Sequence, residues 1–124
     1  EALPAIEEKE ESQPAKESEG DKELEDEMAR LLLYLRQGVV LGDYAEALHI
    51  PERKLSVFIN STYGMSFKRW VNNKRVEYAT EQMAKHPDYT MERIAELSGF
   101  AHKSHFCKIF REITGGSFTE YKNR

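Results

Sequence analysis

The sequence predicts an all-α fold, and two observations support this prediction. Apolar residues recur at intervals of three and four positions in one segment after another, which is helical spacing, and no segment alternates apolar and polar residues as a strand would. In addition, a short phrase occurs twice: GMSFKRW at 64–70 and GGSFTEY at 115–121 share the pattern Gly-x-Ser-Phe-x-x-aromatic, 51 positions apart. The repeated phrase suggests that the fold contains two copies of one helical unit.

The N-terminal segment differs from the remainder in charge and composition. Residues 1–27 hold 12 acidic and 3 basic side chains, a charge of −9, whereas residues 28–124 hold 10 acidic and 15 basic side chains and carry +5. Residues 1–22 are rich in Glu, Ser, Pro and Lys, and such a stretch buries too little apolar surface to offset its ordering entropy. We therefore predict an acidic disordered linker at 1–22, a solvated run rather than a mimic of nucleic acid, and a mildly basic domain at 23–124.

The domain should contain about seven helices. The first begins near Leu24 and carries an apolar stripe as far as Leu35, with Gly38 as its stop. A short second helix begins near Leu41 and ends before Pro51, because the residue preceding a proline disfavours helical geometry.

A third helix ends at Gly64 and is followed by a longer one, which runs from about Ser66 to Ala84. One side of this longer helix is predicted to face the core. That side consists of Phe67, Trp70, Val71, Lys74, Tyr78 and Met83.

The second half of the chain repeats this order of elements. The segment HPDY at 86–89 interrupts the long helix, and Thr90 is a suitable N-cap for a short helix that stops at Gly99. Another amphipathic helix ends at Gly115, and a final short helix covers FTEYK at 118–122.

Sliding the second half onto the first extends the repeat well beyond the opening phrase. With an offset of 50, Tyr44-Ala45-Glu46 falls on Ile94-Ala95-Glu96; further along, an offset of 51 aligns the apolar positions of the following helices. A one-residue insertion at the turn between helices explains the shift. Each copy is a short helix, a tight turn and a second amphipathic helix, the order of a helix-turn-helix. We predict these units at about 40–63 and 90–114, joined by a linker helix at about 66–84.

The second helix of each unit is the part expected to contact DNA. A step of 100° per residue turns one polar face of each helix away from its apolar stripe. Arg and Asn side chains bind guanine and adenine edges, Lys and Arg bind phosphates, and Val can touch a thymine methyl group. The candidate DNA-binding residues are Arg53, Lys54, Ser56, Val57, Asn60, Lys103, Ser104, His105, Lys108 and Arg111.

The predicted linker helix has a length suited to this role. At 1.5 Å per residue, about 19 residues span roughly 28 Å. Successive major grooves on one side of a duplex are roughly 34 Å apart. A single chain could therefore place two recognition helices in adjacent grooves of double-stranded DNA.

From about Leu24 to Arg124 the chain resembles the DNA-binding domain of AraC/XylS-type transcription regulators. The resemblance is carried by YAEALHIPERKLSVFINSTYGMSFKRWVNNKRVEYA and IAELSGFAHKSHFCKIFREITGGSFTEYKNR, with Arg75 and Ala79 in the linking helix. It implies a seven-helix domain with two helix-turn-helix units. Three positions depart from the family pattern: Gly42 sits early in the second helix, Ala101 stands where Ser, Asp or Asn usually caps the second recognition helix, and Phe118 replaces a usual Pro.

The resemblance also implies the protein's setting. It suggests the output domain of a bacterial, cytoplasmic and nucleoid-associated regulator that works with RNA polymerase. An upstream sensor domain would belong to a longer protein, of which this chain is a piece, and the full-length protein could be tethered to a membrane through that missing part. The segment itself has no apolar run long enough to cross a membrane.

Other functional classes find little support in the sequence. His102, His105 and Cys107 lack a fourth ligand and the spacing of a zinc site, so no metal or cofactor is expected. Cys107 has no orienting partner for catalysis, no phosphate-binding loop is present, and an enzyme is not predicted. A helical protein-interaction module that has weak or lost DNA binding remains the alternative, because the net charge is low and Val57 interrupts the polar face.

Overall fold

The computed structural model describes residues 19–123, and within them the chain forms seven α-helices, one 3-10 helix and no strand. The all-α prediction is therefore confirmed. The α-helices are α1 (Glu19–Arg30), α2 (Leu41–Leu48), α3 (Glu52–Tyr63), α4 (Phe67–Lys85), α5 (Met91–Leu97), α6 (Lys103–Thr114) and α7 (Phe118–Lys122). The 3-10 helix covers Leu33–Leu35.

The beginning of the described chain corrects two predictions. Helix α1 already includes Glu19–Lys22, which we expected to be disordered. Glu and Lys are good helix formers, and acidic residues in a first turn favour the positive end of the helix dipole. The remaining residues of the predicted linker, 1–18, lie outside the described residues. Within the described residues, 19–31 and 32–123 fall into separate units, and α1 belongs to the first.

The predicted end of the first helix also lies too far along the sequence. It was expected to continue through Leu35, but α1 stops at Arg30 and a 3-10 turn follows. The backbone carbonyl of Tyr34 accepts a hydrogen bond from Arg75 Nε at 2.6 Å, and that of Arg36 accepts one from Arg75 Nη2 at 3.0 Å. In a continuous α-helix those carbonyls would bond to N–H groups four residues later. The buried guanidinium therefore replaces the helical partners.

Helix α4 joins the two helix-turn-helix units and is buried by both. Its N-terminal half places Trp70 against the ring of Tyr44 in α2, at a centroid distance of 5.5 Å. Its C-terminal half contributes Val76, Ala79 and Met83 to the apolar cluster of the second unit. Because α4 is covered on more than one side, no single apolar stripe describes it.

The predicted inner side of α4 is accordingly wrong in part. Three residues that we placed on that side are only half-buried: Phe67, Lys74 and Tyr78. Arg75, by contrast, is 8% exposed. The long helix itself is confirmed. Ser66, near which we expected it to begin, is its N-cap, and the Ser66 hydroxyl accepts a hydrogen bond from the Arg69 amide.

The cores of the two units are built alike. In α3, Leu55, Phe58 and Ile59 are buried, and in α6 the equivalent Phe106, Ile109 and Phe110 are buried. The second core is the more aromatic. The Phe106 ring lies 5.2 Å from that of Phe100, 5.4 Å from that of Phe110 and 6.0 Å from that of Phe118.

The backbone reproduces the sequence repeat. In the turns, Ile50 N–H bonds to Ala45 O at 3.1 Å and Phe100 N–H bonds to Ala95 O at 3.1 Å. After the recognition helices, Gly64 and Gly115 both adopt left-handed geometry as C-caps. Ser66 and Ser117 then cap α4 and α7 in the same way. The chain therefore contains one structural unit twice.

Candidate nucleic-acid interface

The recognition helices α3 and α6 present the predicted side chains to solvent. Of the ten candidate residues, Ser56 is half-buried and the other nine are exposed. Val57, the apolar member of the set, is 62% exposed. The polar faces are thus accessible, as contact with a groove requires, while which of these residues bind DNA stays a prediction.

The turn before each recognition helix is held by a residue in left-handed geometry. In the first unit this residue is His49, with φ of 61°, and in the second it is Gly99, with φ of 91°. A Cβ atom at Gly99 would lie 2.9 Å from the carbonyl oxygens of both Tyr34 and Leu35. The second turn thus packs directly onto the 3-10 segment, where only glycine fits, and this contact positions the start of α6.

The start of α6 differs from the expected one. We placed the missing cap at Ala101, but the N-cap residue is His102, and its side chain makes no capping hydrogen bond. The absence of a side-chain capping bond is as expected, but the N-cap position lies one residue later than predicted. The first recognition helix is also uncapped by a side chain, because its N-cap is Pro51.

Lys103, the first residue of α6, is paired with an acid. Its Nζ lies 3.0 Å from Glu92 Oε2 in α5, and both side chains are exposed. The hydrogen bond from Lys103 lowers the pKa of the Glu92 carboxyl, and the same bond raises the pKa of the Lys103 ammonium. A phosphate must therefore compete with Glu92 for this lysine.

The equivalent positions in the first unit also lie against each other. Gly42 corresponds to Glu92, and Glu52 corresponds to Lys103. A Cβ atom at Gly42 would lie 2.8 Å from Glu52 Oε2, so the carboxylate of Glu52 occupies the space above that glycine. This contact gives a physical reason for Gly42, which departs from the family pattern. It also places an acid at the first turn of α3.

Two further candidate side chains make contacts within the protein. The ring of His105 stands nearly perpendicular to that of Phe100, with centroids 5.6 Å apart. The Asn60 amide donates a hydrogen bond to Ser56 O at 2.9 Å, one turn earlier in α3. Ser104, Lys108 and Arg111 form the outward face of α6, as predicted from the helical spacing.

Arg75 is the residue whose structural role the sequence did not reveal. Besides its bonds to the 3-10 segment, its guanidinium lies 5.5 Å from the centroid of the Phe100 ring in the second unit. It therefore connects α4, the 3-10 segment and the second turn. In the sequence it was notable only as part of the family pattern, because an isolated Arg in a long helix is ordinarily exposed.

The described residues show no sign of a metal site or a membrane helix. No group of three or more His, Cys, Asp and Glu side chains within residues 19–123 has the arrangement to hold a metal ion. In the same part of the chain, no helix combines the length and apolar character needed to cross a bilayer. Cys107 is half-buried, and its Sγ lies 3.1 Å from Met91 Sδ.

Residues 44–124 match the helix-turn-helix domain family, which covers both units. The chain belongs to this AraC-type helix-turn-helix family. The resemblance inferred from the repeated phrase and the linking helix is thereby confirmed.

Other proteins are similar to the chain in sequence or in fold. The regulatory protein PocR of Salmonella typhimurium is 30% identical over 105 residues, covering 82% of this chain and 34% of PocR. The chain thus spans about a third of the length of this curated relative. The C-terminal domain of AraT, a response regulator from Geobacillus stearothermophilus, superposes with a TM-score of 0.72 at 23% identity, covering 86% of this chain and 85% of that domain.

A third similar structure is the DNA-binding domain of AdpA, a global transcriptional factor, in complex with a target DNA. It has a TM-score of 0.69 at 22% identity, covering 81% of this chain and 89% of that one. At this level of identity the two structures establish the AraC-type fold of the present chain.

Proposed function

We propose that this chain binds double-stranded DNA sequence-specifically, with α3 and α6 in adjacent major grooves, as the output domain of a transcription regulator. The observation that carries the proposal is the duplicated unit on one continuous helix. Two recognition helices with exposed polar faces flank α4, whose 19 residues span roughly 28 Å at 1.5 Å per residue. That spacing suits successive major grooves, roughly 34 Å apart.

In the proposed complex, phosphate contacts position the domain and base contacts give specificity. Lys108 and Arg111 supply cationic groups on the outward face of α6, and Ser104 lies on the same face. In α3, Arg53 and Asn60 supply donors for base edges, and the exposed Val57 contacts a thymine methyl group.

The wider setting of this function is also a proposal. The acidic segment at 1–22 joins the domain to an upstream sensor domain, and RNA polymerase is the partner through which DNA binding affects transcription. Such a regulator acts in the bacterial cytoplasm, on the nucleoid. PocR, which is about three times as long as the matched region, supports the presence of a further domain in the complete protein.

A protein-interaction module is the second candidate. Two observations favour it: Val57 exposes 62% of its surface, and an acid lies at the start of each recognition helix, as Glu52 in α3 and as Glu92 beside Lys103. Both features weaken attraction to a polyanion, and Val57 offers a protein partner an apolar contact on this face.

The two functions differ in their response to salt and to substitution. A duplex enriched from a randomised library should bind the chain with an affinity that falls steeply between 50 and 200 mM salt, by a log–log slope of about −0.9 for each phosphate neutralised. Replacing Lys108 or Arg53 by Ala should weaken binding by about 1–3 kcal/mol. Fluorescence anisotropy measures both effects.

Lys85→Ala is the matched control, because Lys85 is an exposed lysine at the end of α4. It should change the affinity far less than Lys108→Ala, and thermal unfolding should show that all three variants remain folded. The proposed function would be contradicted if the library enriched no sequence. It would also be contradicted if the wild-type chain and both recognition-helix variants bound DNA with equal affinity.

A further inference from the structure

A cavity of about 430 Å³ lies between α4, the segment leading into α2, and the second unit. It is bordered by Gly38–Leu41, by the N-terminal half of α4, and by the turn and first residues around α6. Cavities that bind small organic molecules measure about 300–1,000 Å³ and combine apolar walls with a few polar groups. This cavity has both properties, and of its lining residues only His105 is among the candidate DNA-binding residues.

Its walls are mainly apolar. Val40 and Leu41 form one side, and Phe67 and Val71 of α4 form another. Val40 is 57% exposed, so the apolar surface continues to the mouth of the cavity. Such walls favour a ligand with an apolar body over a bare inorganic ion.

The polar groups of the lining are cationic or neutral. Lys68, Arg75 and His105 line the cavity together with Asn72, and no Asp or Glu is among the lining residues. Within residues 19–123, neither Lys68 nor Arg75 forms an ion pair with a carboxylate. The cavity therefore offers positive charge without a neutralising acid.

Arg75 provides the most specific part of this argument. Its side chain is 8% exposed, and its Nε and Nη2 donate to the carbonyl oxygens of Tyr34 and Arg36. A guanidinium has five N–H donors, so these two bonds do not exhaust it. Burial lowers the pKa of Arg75, because removal from water disfavours the charged form. An anion in the cavity would stabilise that charge.

We propose that this cavity binds a small organic anion with an apolar body, of the class of aromatic monocarboxylates. The carboxylate faces Lys68 and Arg75, and the apolar body lies against Phe67 and Val71. Because His105 belongs both to the cavity wall and to α6, a bound molecule contacts the linker helix and a recognition helix together. The site thus provides a route by which a metabolite modulates the DNA-binding domain itself.

The test uses the full 124-residue chain, labelled with nitrogen-15, and two probes of the same shape. Naphthalene-2-carboxylate carries the anion, and naphthalen-2-ylmethanol lacks it. In titrations followed by two-dimensional amide spectra, the carboxylate should cause saturable shifts at Val39–Leu41 and at Val71–Asn72. It should bind at least about five times more tightly than the alcohol, since its hydrogen bonds to the cations are charge-assisted.

Two variants distinguish binding in the cavity from nonspecific attraction between the anion and surface lysines. Lys68→Gln should reduce the preference for the carboxylate over the alcohol, whereas Lys85→Gln, an exposed lysine outside the cavity, should leave that preference unchanged. Both lysines are exposed, so neither change should unfold the chain, and thermal unfolding checks this.

Four results would overturn the proposal. They are the absence of localised, saturable shifts, equal affinities for the two probes, equal losses in the two variants, and inorganic phosphate shifting the same amides as strongly as the carboxylate. The last result would assign the cavity to a phosphate of the DNA backbone. No DNA is present in these titrations, so their outcome is independent of the test of DNA binding.

Discussion

The two helix-turn-helix units have matching backbones and different exposed surfaces. Equivalent turn hydrogen bonds in the two units have equal lengths of 3.1 Å, from Ile50 to Ala45 and from Phe100 to Ala95. On the outward faces, however, Lys108 in the second unit corresponds to Val57 in the first. Packing and caps thus preserve the unit, whereas the solvent-exposed face is free to diverge because its residues make few contacts within the fold.

The buried parts of the two units differ in one respect that affects function. The second unit packs its turn onto the 3-10 segment through Gly99, while the equivalent His49 is exposed. Arg75 reinforces the same junction through Phe100. The turn that precedes α6 is therefore joined to the 3-10 segment through Gly99 and to α4 through the contact of Phe100 with Arg75.

The largest effects should come from the two cores. Phe106→Ala should lower the free energy of unfolding by about 3–5 kcal/mol, and the equivalent Leu55→Ala by about 2–5 kcal/mol, since each leaves a cavity in a fully buried site. Urea unfolding followed by circular dichroism measures both. A loss below about 1 kcal/mol in either variant would show that its unit relaxes around the deletion, contrary to the packing described above.

Substitutions in the two turns should change the stability less, and in opposite directions. Gly99→Ala should destabilise the chain by about 2–4 kcal/mol, because it adds left-handed strain and brings a methyl group against two backbone carbonyls. His49→Gly should instead stabilise it by about 0.5–1 kcal/mol, since relief of the strain exceeds the added entropy of the unfolded chain. Thermal unfolding of the pair tests this, and a similar destabilisation in both would remove the distinction between the turns.

The smallest effect concerns the acids at the two recognition helices. Glu92→Gln removes the charge that pairs with Lys103, so affinity for duplex DNA should rise a few-fold at low salt and the log–log salt slope should steepen by up to about 0.9. Glu52→Gln should give a weaker rise, because it removes a negative charge without releasing a cation. Anisotropy titrations at two salt concentrations measure both changes, and an unchanged slope for Glu92→Gln would mean that Lys103 meets no phosphate.

Much of the fold could be predicted because local sequence signals agree with one another. Glycine stops, the Thr90 cap and apolar spacing located α2 to α7 closely, and the repeated phrase revealed two units. The errors came where a distant residue intervenes. The 3-10 turn at Leu33–Leu35 accompanies the hydrogen bonds of Arg75 to nearby carbonyls, 41 and 39 residues away in sequence. No local pattern encodes such a contact.

The residues of the candidate DNA-binding surface could be predicted in the same way, but the contacts of its charged side chains could not. Helical spacing correctly predicted that Lys108 and Arg111 are exposed. It gave no indication that Glu92 holds Lys103 or that Glu52 occupies the space above Gly42. Those contacts join residues 10 and 11 positions apart across a turn, and their geometry depends on the crossing of two helices.

The sequence by itself determined the helical class, the duplication and the faces of the recognition helices, since each follows from periodicity or from the repeated pattern of residues. Its resemblance to AraC/XylS-type regulators indicated the family. Only the tertiary structure decided that α4 is buried on more than one side, that Arg75 joins the 3-10 segment to the second unit, and that a cationic cavity lies beside them. These features depend on which surfaces meet after the helices pack, and a buried charge is tolerated only where distant backbone groups converge to bind it.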